Sequence, residues 1–130
     1  MRLRAFVAAA VLGALLLGGS ALPAMAGASD VIRRGACTGV SDWKLKLSQD
    51  NGRVEVEYEV DQNRNGDTWR VRIRHNDDVV FRGTRTKHAP SGSFEVRILQ
   101  ANRSSDDVFK GHAVNLRTGE VCGGRAVWTA

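Results

Sequence analysis

Apolar and polar side chains alternate strictly through the middle of the chain. In WKLKLSQ, Trp43, Leu45 and Leu47 alternate with Lys44 and Lys46; in VEVEYEV, Val54, Val56, Tyr58 and Val60 alternate with three glutamates; in TWRVRIR, Trp69, Val71 and Ile73 alternate with three arginines. Period two marks a strand with one buried face, because successive Cβ atoms point to opposite sides of a sheet. Less regular runs follow, VVFRGTRTK, SFEVRIL, VFKGHAVNL and VCGGRAVW, separated by the turn-forming stretches HNDD, HAPSG and RTGE. About seven short strands and no amphipathic helix predict an all-β fold. The architecture expected is an antiparallel β-sandwich with an immunoglobulin-like Greek key, the alternative being a small β-barrel.

Asn51-Gly52 joins the first two runs, and this pair suits a type I′ hairpin, in which both central residues need positive φ. That turn sets Lys46 opposite Glu57 and Lys44 opposite Glu59. If the second run pairs with the third across DQNRNGD, Glu59 meets Arg70, Glu57 meets Arg72 and Glu55 meets Arg74. One face of the sheet is then apolar and the other a basic, acidic, basic ladder of cross-strand pairs. The ladder decides a question of function. RVRIR alone resembles a nucleic-acid stripe, but phosphate binding needs uncompensated positive charge. With three glutamates alongside, nucleic acid is not expected as a partner.

The start of the chain is different. Arg2 and Arg4 precede the apolar run AFVAAAVLGALLLGG, and ALPAMA ends in an A-x-A pattern at Ala24 and Ala26. Residues 1–26 read as a secretory signal peptide, too short in its apolar part for a membrane span. Residues 27–42 read as an N-terminal arm or edge strand, and residues 43–130 as the sandwich domain. Without Arg2 and Arg4 the chain carries 17 basic against 14 acidic residues, a mild surplus. The only cysteines are Cys37 and Cys122. In the oxidising extracellular compartment they are expected to form one intramolecular disulfide tying the first segment to the last strand.

DQNRNGD raises the question of a metal. Asp61, Asn63, Asn65 and Gly66 match the first half of a calcium-binding EF-hand loop, with Asp67 as a further carboxylate. The position of the bidentate glutamate is taken by Arg72, however, and the flanks are strands. A strand connection closed by Asx-turns therefore ranks first and a weak Ca²⁺ site second; no other cofactor is expected. In a sandwich this loop shares one end with HAPSG and RTGE, so His88, Pro90, Ser91, Arg117 and Glu120 are candidate binding-end residues.

Other chemistries find less support. His75, His88 and His112 lie in separate segments, and no G-x-S-x-G or H-E-x-x-H motif occurs, so no enzyme is expected. A sugar platform would have to use Phe109 or Trp128, since the parity of the other aromatics points them inward. A protease-inhibitor loop would have to be KHAPSGS, with no adjacent disulfide to rigidify it. The segments VDQNRNGDTWRVRIRHN, APSGSFEVRIL and RTGEVC, behind an Ala- and Leu-rich leader, resemble small secreted proteins of actinobacteria that carry no assigned activity; the resemblance implies no site residue. The expectation is a secreted, monomeric, non-catalytic binding module for an unknown extracellular partner, with a calcium-dependent structural or adhesive module as the alternative.

Overall fold

The computed structural model describes residues 29–88, 90–103 and 106–129, so the expected signal peptide lies outside the described residues. Eight strands follow in order: β1 (Val31–Ala36), β2 (Asp42–Asp50), β3 (Arg53–Asp61), β4 (Thr68–His75), β5 (Asp78–Thr86), β6 (Ser93–Ala101), β7 (Asp106–Asn115) and β8 (Val121–Thr129). The strand beyond the seven read from the pattern is β1, which lies in the N-terminal segment. Two four-stranded antiparallel sheets form, ordered β1-β2-β3-β6 and β5-β4-β7-β8, and they are not closed into a barrel. The connections make a Greek key: consecutive β3 and β4 lie in opposite sheets, as do β5 and β6, while β6 returns to β3 and β7 returns to β4.

Alternation builds the core. Leu45, Leu47, Val56, Tyr58 and Val60 from one sheet meet Trp69, Val71, Ile73, Phe109 and Ala113 from the other, all fully buried. The Trp69 and Phe94 rings bridge the sheets with centroids 5.9 Å apart. The β2–β3 hairpin has the expected register, Lys44 opposite Glu59 and Lys46 opposite Glu57. Asn51 and Gly52 both have positive φ, 48° and 76°, as a type I′ turn requires. The two lysine–glutamate pairs, at 3.8 and 3.7 Å, are partly exposed, and such pairs contribute at most about 1 kcal/mol each.

The other half of the expected ladder is overturned. β3 does not pair with β4; its second neighbour is β6, which sets Arg97 opposite Glu57. Arg97 bonds Glu57 at 2.5 Å and lies 3.7 Å from Glu55 and 3.8 Å from Glu95. The six residues between β3 and β4 are more than a tight hairpin uses, and sheets pack only ~10 Å apart, so the chain can cross to the second sheet there. Alternation fixes which face of a strand is buried but not which strand lies beside it. SFEVRIL carries a complementary arginine as TWRVRIR does, and β6 is the strand that takes the place.

Polar ties join the sheets at both ends. Cys37, just after β1, is bonded to Cys122 on β8, forming the expected intramolecular disulfide. Beside it the Thr38 amide donates to the Val121 carbonyl at 2.9 Å, and the Tyr58 hydroxyl donates to the Cys122 carbonyl at 2.8 Å. At the opposite end His75 of β4 bonds Asp107 of β7 at 2.6 Å through Nε2, and Gln100 of β6 at 3.1 Å through Nδ1.

The disulfide closes a loop with a sequence separation of 85. A loop of that length implies stabilisation approaching about 4 to 5 kcal/mol through the unfolded chain. Denaturant unfolding with and without reductant is expected to show a loss toward that size; superimposable curves would show that the bond adds nothing to stability.

Candidate functional site

The three connections read as one end of the domain do meet there. The Gly66 amide donates to the Lys87 carbonyl at 3.1 Å, and the Lys87 amide to the Asp67 carbonyl at 3.0 Å. The Leu116 amide reaches the Thr68 carbonyl at 3.0 Å. At the centre is Asp67, buried, its carboxylate receiving Arg117 Nε at 2.8 Å, Arg117 Nη2 at 3.1 Å and Asn115 Nδ2 at 2.9 Å. The Arg117 and then the Asn115 hydrogen bonds hold the Asp67 carboxyl well below the usual carboxylate range.

Asp67 therefore faces inward, with both oxygens committed to protein donors. Asp61 accepts the Asn63 amide at 2.9 Å, an Asx-turn with Asn63 at φ 54°, while Asn63 and Asn65 are exposed. Glu120 is buried and receives the Ser41 amide at 2.9 Å and the Ser41 hydroxyl at 2.7 Å, so it pins the β1–β2 connection. Arg117 and Glu120 thus serve the fold. His88, Pro90 and Ser91 are exposed on a turn closed by the Gly92 amide on the His88 carbonyl, 3.0 Å, so KHAPSGS presents only a short tip. Its Lys87 is buried, with Nζ 4.7 Å from the Trp69 ring centroid and no hydrogen-bond acceptor. Burial pushes this ammonium down to about 8, against the pull of Asp61, Glu120 and Asp67.

The outer face of the second sheet is of another kind. β4 turns Arg70, Arg72 and Arg74 outward. β5 sets Arg82 opposite Arg72, and β7 sets His112 opposite Arg72 and Lys110 opposite Arg74. On β8, Arg125 lies opposite Lys110. Lys110 bonds Asp77 of the β4–β5 turn at 3.1 Å. Among the described residues Arg70, Arg72, Arg74, Arg82 and Arg125 have no ion pair, and Nε of both Arg72 and Arg74 is covered without an acceptor. The nearest acids of this sheet lie at its margin: Asp77, Asp78 and Asp106. Burial, followed by the charges of Arg72 and Arg74, lowers the basicity of His112.

Two open depressions adjoin on this face and share Arg72 and His112. The larger, about 580 Å³, extends over Arg74, Lys110 and Arg125. The smaller, about 330 Å³, extends over Arg70 and Arg82. Trp43 of the opposite sheet lines the larger one, because β8 carries no side chain at Gly124: a Cβ there would stand 2.5 Å from the indole ring.

No family model, curated protein or solved structure matches the chain.

The remaining candidates are placed differently from their expectation. Phe109 and Trp128, the only aromatics left for a sugar platform, are 0% and 4% exposed, so neither can stack on a ligand. The histidine bonded to a carboxylate is His75, fully buried with both ring nitrogens occupied, and stacked on Phe109 at 4.3 Å. The arginine face was missed because the glutamates of β3 were assigned to it. The available signal was Arg97, which competes for those same glutamates, together with Lys110 and Arg125 at outward parity.

Two outcomes follow for the loop end. Because Lys87 holds its proton less tightly in the folded state, the unfolded chain binds more protons between about pH 8 and the ordinary lysine range, and stability attributable to Lys87 rises with pH there. Burial raises the Tyr58 hydroxyl above its ordinary value, which opposes the trend only at higher pH. Melting curves from pH 7 to about 9.5 are expected to show wild type gaining on Lys87→Met; parallel curves would place the ammonium in water. Millimolar Ca²⁺ is expected to leave the melting temperature of wild type and Asp61→Ala alike, because Asp67 is committed to Arg117; a rise in wild type alone would restore the metal loop.

Proposed function

We propose that the chain is an exported, non-catalytic binding module whose working surface is the outer face of the β5-β4-β7-β8 sheet, and that its ligand is anionic. The segregation of charge carries this reading. The outward glutamates of the strands, Glu55, Glu57, Glu59 and Glu95, all lie on the first sheet, where Lys44, Lys46 and Arg97 offset them. The second sheet collects five arginines and a lysine at outward positions.

Holding like charges side by side costs stability. A surface that keeps them, beside depressions of a few hundred cubic ångströms, is matched to an oppositely charged partner. Export is supported by the leader-like residues 1–26 and by a disulfide, which persists in oxidising compartments. A non-catalytic role is supported by the burial of the one histidine–aspartate pair.

The test compares two charge-reversed chains, Arg82→Glu with Arg125→Glu on the second sheet and Arg33→Glu with Arg53→Glu on the first. Binding to immobilised phosphorylated, sulfated and carboxylated polymers is measured at physiological salt. The second-sheet pair is expected to lose binding by about tenfold or more while the first-sheet pair keeps it. Equal retention by both, or no polymer bound by wild type, would refute the reading.

A further inference from the structure

We infer that the arginine face holds a nucleic-acid duplex by its phosphates, without reading its bases. The inference rests on the face being the binding surface, and it names the ligand. Pairing of β3 with β4 was the ground for excluding nucleic acid, and that pairing does not exist: Arg72 lies between Arg82 and His112, with no glutamate beside it. The positive charge that counterion release requires is uncompensated.

Three features select a duplex among polyanions. The first is side-chain type: of the six outward cations only Lys110 is a lysine. A guanidinium forks onto two phosphate oxygens, whereas an ammonium is a point charge. The second is the shape of the array. Cations occupy all four strands, a span of roughly 14 Å at the usual strand spacing, and Arg70 to Arg74 run roughly 13 Å along β4. A single extended chain would occupy one row of such a field. Phosphates flanking a groove about 12 Å wide, as in a B-form duplex, occupy both of its sides. The third is the lack of a stacking platform. Single strands are gripped largely by aromatic rings that stack on bases. The one ring in the depression, Trp43, is packed against Gly35 and Gly124 in its floor. Outward neighbours of the arginines are Thr84, Val114 and Gly123, with nothing suited to base edges, so binding is independent of sequence.

The experiment uses the oxidised, exported chain and fluorescence anisotropy with a duplex of about 20 base pairs, a second duplex of unrelated sequence, one of the single strands, and heparin as a sulfated polymer. Both duplexes are expected to bind equally and more tightly than the single strand or heparin. Their affinity should fall with salt between about 50 and 200 mM, with a logarithmic slope near −4 to −5, for about five phosphates engaged. Arg82→Glu with Arg125→Glu should weaken the duplex by about tenfold or more, and Arg33→Glu with Arg53→Glu, which carries the same net charge, by less than about twofold. Tighter binding of heparin or the single strand, a difference between the duplexes, or equal loss in both variants would overturn the duplex assignment. If another polyanion binds and only the second-sheet variant loses it, the face remains the binding surface and the ligand assigned here is wrong. If no probe binds at 50 mM salt, both readings fall.

Discussion

The chain changes sheets between Asp61 and Thr68, and the buried carboxylate of Asp67 fixes where it does so. Its oxygens are held by Arg117 and Asn115 at the end of β7 and in the β7–β8 turn, so the start of β4 is anchored to the second sheet before any strand pairing is counted. A buried carboxylate without partners would cost several kcal/mol, and one that has lost a partner is strongly destabilising. The pairing of β4 with β7 is therefore favoured both by its ladder and by this polar anchor, and β3 is left to pair with β6.

The charge pattern follows from that choice. β3 turns three glutamates outward and finds Arg97 on β6, while β4 turns three arginines outward and finds Arg82, His112 and Lys110 on its neighbours. One sheet is balanced and the other is basic, although the net charge of the whole chain, +5, shows little of this. The rest of the architecture tolerates the imbalance because both ends are tied independently: Cys37–Cys122 and Tyr58 at one, His75 with Asp107 and Gln100 at the other. Each tie places a satisfied polar or covalent link across the core, so sheet alignment does not depend on surface charge.

Much of the fold was legible in the sequence because its cues are local. Strict alternation identified the buried faces of β2, β3 and β4, Asn51-Gly52 set one register, and the two cysteines defined one bond. The grouping of the three connections at one end followed from counting strand directions. What was not legible was the partner of each outward face. Glu57 has acceptable arginines at both Arg72 and Arg97, and only the long-range anchoring of Asp67 separates them. The same ambiguity hid the candidate site. A stripe read as neutralised became the least compensated surface of the described residues once its neighbours were known. The metal-like spacing of Asp61, Asn63, Asn65 and Asp67 was visible, but not the inward turn of Asp67, since its partners lie about fifty residues away.

The central claim is that Glu57 has Arg97 and not Arg72 across from it. Double-mutant cycles on unfolding free energy measure this directly, pairing Glu57→Gln with Arg97→Gln and separately with Arg72→Gln. The structure predicts a favourable coupling for Glu57 with Arg97 and none for Glu57 with Arg72. A favourable coupling to Arg72 would contradict it, because the two strands would then be neighbours and the arginine face neutral.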